Sequence, residues 1–324
     1  MPSVLLFGAT GLIGSRLAVD LKTAHPEWPL TVFVRSPAAE SYFKSAAVDR
    51  IVYGSFSDTD LVRSLSKEHD IVINAATSFD GDFITQVIAA MEEKPEHSKG
   101  TLIHLSGTGN FIDHGTTGSF NPDSKVWNDD NEEDIKLINR NMLNGPSDTP
   151  VLEAGERGKI VTYVVCVAAT YGPNIGPSSS LGLIYTILTS NSKQLGYVPY
   201  VGDGTSVVST IHVADVVPFV TKVVGIAGTQ EPQGSAYSRY YMLHGERVAW
   251  KDLAAALAKT LYAKGVVGSP EPKSVPMEQA GEGPKGLIAS NMLIRGDRAA
   301  RLGFKATQPS MLVSIDEDLA RYSL

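Results

Sequence analysis

The stretch Val4-Leu5-Leu6-Phe7-Gly8-Ala9-Thr10-Gly11-Leu12-Ile13-Gly14 decides how the rest of this chain is read. Apolar residues of strand type run into three evenly spaced glycines, and Ser15-Arg16-Leu17-Ala18-Val19-Asp20-Leu21-Lys22 continues as a helix. Without Cβ atoms the glycines permit a tight turn and let a pyrophosphate come close to the backbone. The helix that follows offers unpaired N–H groups and a partial positive charge to phosphates. Glycines at this spacing occur in many turns, so their place between a strand and a helix is what points to a dinucleotide. Gly8, Thr10, Gly11, Leu12, Ile13 and Gly14 are the residues expected to cradle it.

Outward from this loop, strand-like and helix-like runs alternate. Leu30–Val34, Asp49–Tyr53, Asp70–Ala76, Thr101–Ser106 and Ile160–Val165 read as further strands, with amphipathic stretches such as Asp82–Met91 between them. Continuous apolar strands separated by helices imply a parallel sheet covered on both faces. The expected fold is therefore α/β, a doubly wound parallel Rossmann sheet with a smaller C-terminal substrate-binding lobe. Residues 1–172, with about 207–227, are assigned to the sheet, and 173–206 and 228–324 to the lobe. Ligands on such sheets bind beyond the C-terminal strand ends, so the residues just after each strand matter most.

Composition narrows the function. The chain has 324 residues, of which 43% are hydrophobic, enough for a full core. No apolar run approaches the ~20 residues of a membrane helix. The start, Met1-Pro2-Ser3, has no signal-like character, so a cytoplasmic location is expected. A net charge of −7 disfavours nucleic acid as a partner. The single cysteine, Cys166, lies in an apolar strand and reads as a buried thiol. The seven histidines are scattered without zinc-type spacing, and the acidic run Asn128–Asp134 reads as a solvated loop and helix start, so no metal is assigned.

Several landmarks together resemble the extended branch of the short-chain dehydrogenase/reductase superfamily, which includes epimerases, dehydratases and reductases. They are the Gly8/Gly11/Gly14 loop, Asn74-Ala75-Ala76-Thr77, Leu105-Ser106-Gly107-Thr108, Ala169-Thr170-Tyr171-Gly172-Pro173, Gly202-Asp203-Gly204 with Ile211-His212-Val213-Ala214-Asp215-Val216, and Leu302-Gly303-Phe304. The resemblance covers nearly the whole chain. It implies that Ala75, Ala76, Thr77 and Ser106 line the cofactor and that Thr108 is the catalytic hydroxyl. It also makes a homodimer an expectation, and gives His212 and Asp215 a structural role. Charge argues for NADP (NADPH) over NAD. The second strand ends Val34-Arg35-Ser36-Pro37, with no acid to repel a 2′-phosphate, and Arg35 and Ser36 are suited to bind one.

One departure stands out. The family's working pair is a tyrosine and a lysine four residues later, yet no tyrosine occurs between Thr108 and Thr162. Arg140 and Asn144 fall roughly where the pair belongs. Gly145, Pro146 and Pro150 interrupt the helix that would carry it, which is expected to begin near Asp148. His114 and Tyr171 are the candidates to replace the missing acid, and Lys125 and Trp127 are placed at the pocket's fringe. The expected function is an atypical NADP-dependent oxidoreductase of a small organic substrate. The alternatives are an epimerase or isomerase that retains its nucleotide, and a non-catalytic NADP-binding sensor.

Overall fold

The structure is a computed structural model and describes residues 1–113, 118–281, 285–320 and 322. Its centre is a seven-stranded parallel sheet. The first half of the chain contributes β1 (Val4–Phe7), β2 (Leu30–Val34), β3 (Arg50–Tyr53), β4 (Ile71–Asn74) and β5 (Thr101–Gly107). After the short β6 (Trp127–Asn128) comes β7 (Val161–Val167); β8 (Ala169–Tyr171), β9 (Pro199–Val201) and β10 (Val207–His212) lie outside this sheet, and β11 (Tyr240–Leu243) returns to its edge. The order is β11-β7-β5-β4-β1-β2-β3. It reverses direction between β1 and β4, which opens a crevice beyond their C-terminal ends.

β1, β2, β4 and β11 are buried along their whole length, as continuous apolar strands must be when helices cover both faces. The helices are α1 (Leu12–Ala24), α2 (Glu40–Ser45), α3 (Thr59–Glu68), α4 (Gly81–Glu92), α5 (Glu132–Lys136), α6 (Gly145–Arg157), α7 (Leu183–Leu195) and α8 (Val213–Thr229). α1 packs on α8, while α3, α4 and α6 lie side by side. The remaining elements are β12 (Glu246–Ala249), α9 (Trp250–Ala263), β13 (Lys273–Val275), β14 (Ile294–Arg295), α10 (Asp297–Arg301) and α11 (Met311–Asp318). A second apolar core gathers α7, α9 and α11 around the small sheet β12-β10-β8. Tyr240–Leu243, Ile294 and Ala299, placed in the second lobe from the sequence, pack instead into the core of the large sheet.

Two local readings are corrected. α6 begins at Gly145, not near Asp148, with Asn144 at its N-cap and Pro150 inside it. Pro150 has no N–H to offer the carbonyl of Pro146 one turn back. That carbonyl faces Gly81 at the start of α4, where a Cβ would lie 2.6 Å from it, so glycine is what allows the two helices to approach. The acidic run is not simply solvated. Asp129 is fully buried and accepts backbone N–H bonds from Met242, Arg298 and Ala299, which ties three distant segments together. No helix among the described residues is long and apolar enough to cross a membrane.

Candidate active site

The glycine loop is shaped by close approach. Gly8 sits at φ +83°, and a Cβ there would lie 2.4 Å from the Ala75 backbone. A Cβ on Gly14 would lie 2.1 Å from the Gly8 carbonyl oxygen, so β1, the loop and α1 meet with no room for a side chain. Gly11 caps α1 without a side-chain hydrogen bond, and the first turn carries no acid. The leading N–H groups of the helix and their partial positive charge are thus left for an anion. The segment after β8 lies over this loop: Arg16 donates to the Pro173 carbonyl (2.8 Å), and the Ser178 hydroxyl donates to the Thr10 carbonyl (2.7 Å).

From the loop a cleft of about 390 Å³ runs along the strand ends. Its walls are Gly11–Ile13, Ala75–Phe79 after β4, Leu105–Gly109 at the end of β5, Asn144, Val167–Thr170, Ser180–Ile184, Leu287 and Met292. Gly11, Leu12, Ile13, Ala75, Ala76, Thr77, Ser106 and Thr108 are therefore brought together. Gly8 and Gly14 build the turn behind them. Among the described residues, none that lines the cleft bears a titratable side chain.

Other expected residues fall elsewhere. Tyr171 is absent from the cleft wall; its ring is buried, its hydroxyl donates to the Pro309 carbonyl (2.6 Å), and burial pushes that hydroxyl far above its usual range. It anchors the C-terminal segment and is not placed to exchange protons in the cleft. His114 lies outside the described residues. Lys125 pairs with Asp134 (2.8 Å) and rests over the Trp127 ring, away from the cleft. Arg140 is exposed and held in a fork by Glu153. His212 caps α8 through Nδ1, joining β10 to the helix, and Asp215 accepts the Thr307 and Gln308 backbone N–H groups, tying α8 to that later segment. Arg35 is exposed at the end of β2 and makes no hydrogen bond or ion pair among the described residues, while the Ser36 hydroxyl accepts from Ala38 N–H (3.3 Å).

Beneath the cleft lies a network that sequence reading missed. Asp148, one turn into α6, is fully buried. Its Oδ2 accepts from the Ser106 hydroxyl (2.7 Å), Asn110 Nδ2 (2.8 Å) and the Tyr240 hydroxyl (3.1 Å). Its Oδ1 lies 3.1 Å from His104 Nε2. Asn74 Nδ2 lies 3.0 Å from His104 Nδ1 and also donates to the Thr77 carbonyl, while Asn74 Oδ1 accepts from Ala76 N–H. An amide nitrogen can only donate, so His104 Nδ1 is the acceptor and Nε2–H points to Asp148. The partners of this carboxylate are therefore all neutral donors. Burial pushes the Tyr240 hydroxyl and the neighbouring Cys166 thiol well above their usual ranges, so both stay protonated. One signal was available: His104 and Ser106 are polar residues two apart in an otherwise apolar strand, which puts both on one buried face.

Asn144 stands at the N-terminus of α6 beside Thr108. Its Nδ2 donates to the Ser78 hydroxyl (2.7 Å), its backbone N–H donates to Asn110, and its Oδ1 is buried without a partner among the described residues. The Thr108 hydroxyl also has no partner among the described residues. The Thr108 hydroxyl is thus left free at the cleft wall, while Asn144 Oδ1 is packed beneath it against Gly109.

This geometry is that of a dinucleotide-binding crevice. Residues 8–120 match the NAD(P)H-binding family model. Across the whole chain the fold is similar to that of solved dehydratases and epimerases. The dTDP-glucose 4,6-dehydratase of Streptomyces venezuelae, solved with NAD bound, matches with a TM-score of 0.67 and 19% identity over 99% of this chain and 96% of that one. The UDP-glucuronic acid 4-epimerase of Bacillus cereus, solved with UDP-glucuronic acid and NAD, matches with a TM-score of 0.62 and 14% identity over 98% of each chain. Among curated proteins, the oxidase ucsJ of an Acremonium species is 26% identical over 95% of this chain and 94% of its own length.

Proposed function

We propose that this protein is an NADP-dependent oxidoreductase of a small organic substrate, working mainly in the direction of reduction. The observation that carries the reading is the continuity of one cleft, from the α1 N-terminus to Thr108, with the Asp148 carboxylate buried behind its Ser106 wall. The Gly11 N–H closes the turn onto the Gly8 carbonyl (3.0 Å), so the N–H groups of Leu12 and Ile13 would hold the pyrophosphate, and Arg35 with Ser36 would receive the 2′-phosphate. The bound nucleotide would supply hydride. Ala75–Thr77, locked by Asn74, form one wall against it. Thr108 donates its hydroxyl hydrogen to the substrate oxygen, and Asn144, buried behind Gly109, supports that wall through its bonds to Ser78 and Asn110.

Asp148 supports the direction. A buried carboxylate whose hydrogen-bond partners are all neutral donors would favour positive charge beside the Ser106 wall, as hydride donation from a nucleotide bound there would require. The proton comes from water or from His114, since Tyr171 is committed to Pro309 and no described lining residue titrates.

The test is loss of NADPH absorbance against a panel of small ketones, aldehydes, imines and conjugated enones, with wild type and Thr108→Val. Substrate-dependent oxidation that falls by about 100-fold or more in the variant is expected, the scale of losing one transition-state donor. Conversion of substrate with no net change in absorbance supports the isomerase reading. Tight nucleotide binding with no turnover, and no effect of Thr108→Val, supports a sensor.

A further inference from the structure

A second cavity, of about 410 Å³, lies at the β11 edge of the large sheet and shares no lining residue with the cleft. Its walls include Tyr163 of β7, Tyr241 of β11, Arg239, and Arg298 of α10. The two guanidiniums are held in an unusual way. Arg239, only 7% exposed, donates through Nε to the Thr162 carbonyl (2.9 Å) and through Nη1 to the carbonyls of Gly234 (2.7 Å) and Gln233 (3.2 Å). Arg298 donates through Nη1 to the carbonyls of Tyr237 (2.8 Å) and Tyr240 (3.0 Å). Backbone carbonyls fix both side chains without neutralising them, and neither forms an ion pair among the described residues.

The nearby carboxylates are engaged elsewhere. Asp129 accepts the backbone N–H groups of Met242, Arg298 and Ala299, Glu156 accepts that of Ala236, and Asp130 pairs with Arg301. Glu231 is exposed at the rim. Arg239 is buried and Arg298 half-buried, and although Glu156, Asp129 and Asp130 act on them through space, no carboxylate pairs directly with either, so an anion entering the cavity meets two positioned guanidiniums.

The tyrosines add donors to the same cavity. The hydroxyls of Tyr163 and Tyr241 have no hydrogen-bond partner among the described residues, and both residues line the cavity, where those hydroxyls can donate to a ligand. Arg239 acts electrostatically on Tyr163, and both arginines act on Tyr241, so the charged and hydroxyl ends converge. Burial outweighs the arginines and raises both phenols, which therefore remain neutral donors.

We propose that this cavity binds a small organic anion, a carboxylate or a phosphate ester, held by Arg239 and Arg298 with the hydroxyls of Tyr163 and Tyr241 as additional donors. The tyrosine rings, Ile226 and Leu302 supply an apolar wall for its carbon skeleton. The site is separate from the nucleotide cleft and does not rest on the function proposed above.

The test is calorimetric titration of the full chain with inorganic phosphate and, separately, with succinate at constant ionic strength, comparing wild type with the double variant Tyr163→Phe/Tyr241→Phe. Phosphate taken up by the glycine loop is common to both proteins, so the difference isolates this cavity. The two hydroxyls have no partner in the protein, and the variant is expected to unfold at the wild-type denaturant midpoint. Saturable binding of either anion that weakens about tenfold or more in the variant is expected, the loss of two hydrogen bonds to a charged group. Succinate alone marks a carboxylate site and phosphate alone a phosphate site. Equal affinity in the two proteins, or no saturable binding of either anion to wild type, overturns the proposal.

Discussion

The glycine loop and the start of α6 lie on facing sides of one cleft, and they are built by opposite means. Around Gly8–Gly14 everything is local. Seven residues set the turn, its contact with Ala75 and the open helix end, and absence of side chains is the whole device. Around Asn144–Asp148 nothing is local. His104, Ser106, Asn110 and Tyr240 come from three other segments to satisfy one buried carboxylate, and Asn74 from a fourth holds His104 in place. The glycine side of the cleft is thus shaped by sterics, and the α6 side by polar contacts between distant segments.

If that contrast is right, the polar side is the more costly to disturb. Asp148→Ala leaves four buried donors without an acceptor and should lower unfolding free energy by about 3–5 kcal/mol, read from urea denaturation. A loss below about 1 kcal/mol would show that the network is not what holds α6 to β5. On the steric side, Gly8→Val forces a side chain into the Ala75 backbone at a positive φ. It should weaken NADPH binding about 100-fold or more while the far-ultraviolet spectrum is retained.

Asp318 sharpens the comparison from outside the cleft. It is buried against the Tyr185 hydroxyl (3.0 Å), and burial pushes its carboxyl up to about 6 from an ordinary 3.8. Between these values the unfolded chain releases a proton that the folded chain keeps. Stability therefore falls as pH rises from about 4 to about 6, by on the order of 2 kcal/mol. Asp318→Asn should flatten that slope in unfolding midpoints taken across the range. The smallest effect is expected at the exposed edge: Arg35→Ala should weaken NADPH binding about tenfold and leave NADH unchanged.

How much was legible follows the same division. The parallel sheet and the glycine loop could be read because each depends on a short apolar or glycine pattern, while Ala75–Thr77 and Ser106–Thr108, which the structure puts on the cleft wall, came only from the resemblance of their segments to a known family. The start of α6 was misread because Pro150 was weighed as a helix breaker, while in the fold the helix runs through it and its first turn packs against Gly81, a contact between residues far apart in sequence. Asp148 was passed over for the same reason: its four partners are scattered from His104 to Tyr240, and no spacing rule joins all of them. Tyr171 looked like a candidate acid because it follows a strand end, but the partner that claims its hydroxyl, Pro309, lies 138 residues away.

The most direct measurement is fluorescence titration of the wild-type chain with NADPH and with NADH, repeated with Gly8→Val. The cleft described here predicts saturable binding of both, tighter for NADPH by about tenfold, the scale of one charge-assisted contact to the 2′-phosphate, and loss of both in the variant. Failure of wild type to bind either nucleotide, or binding that Gly8→Val leaves intact, would contradict it.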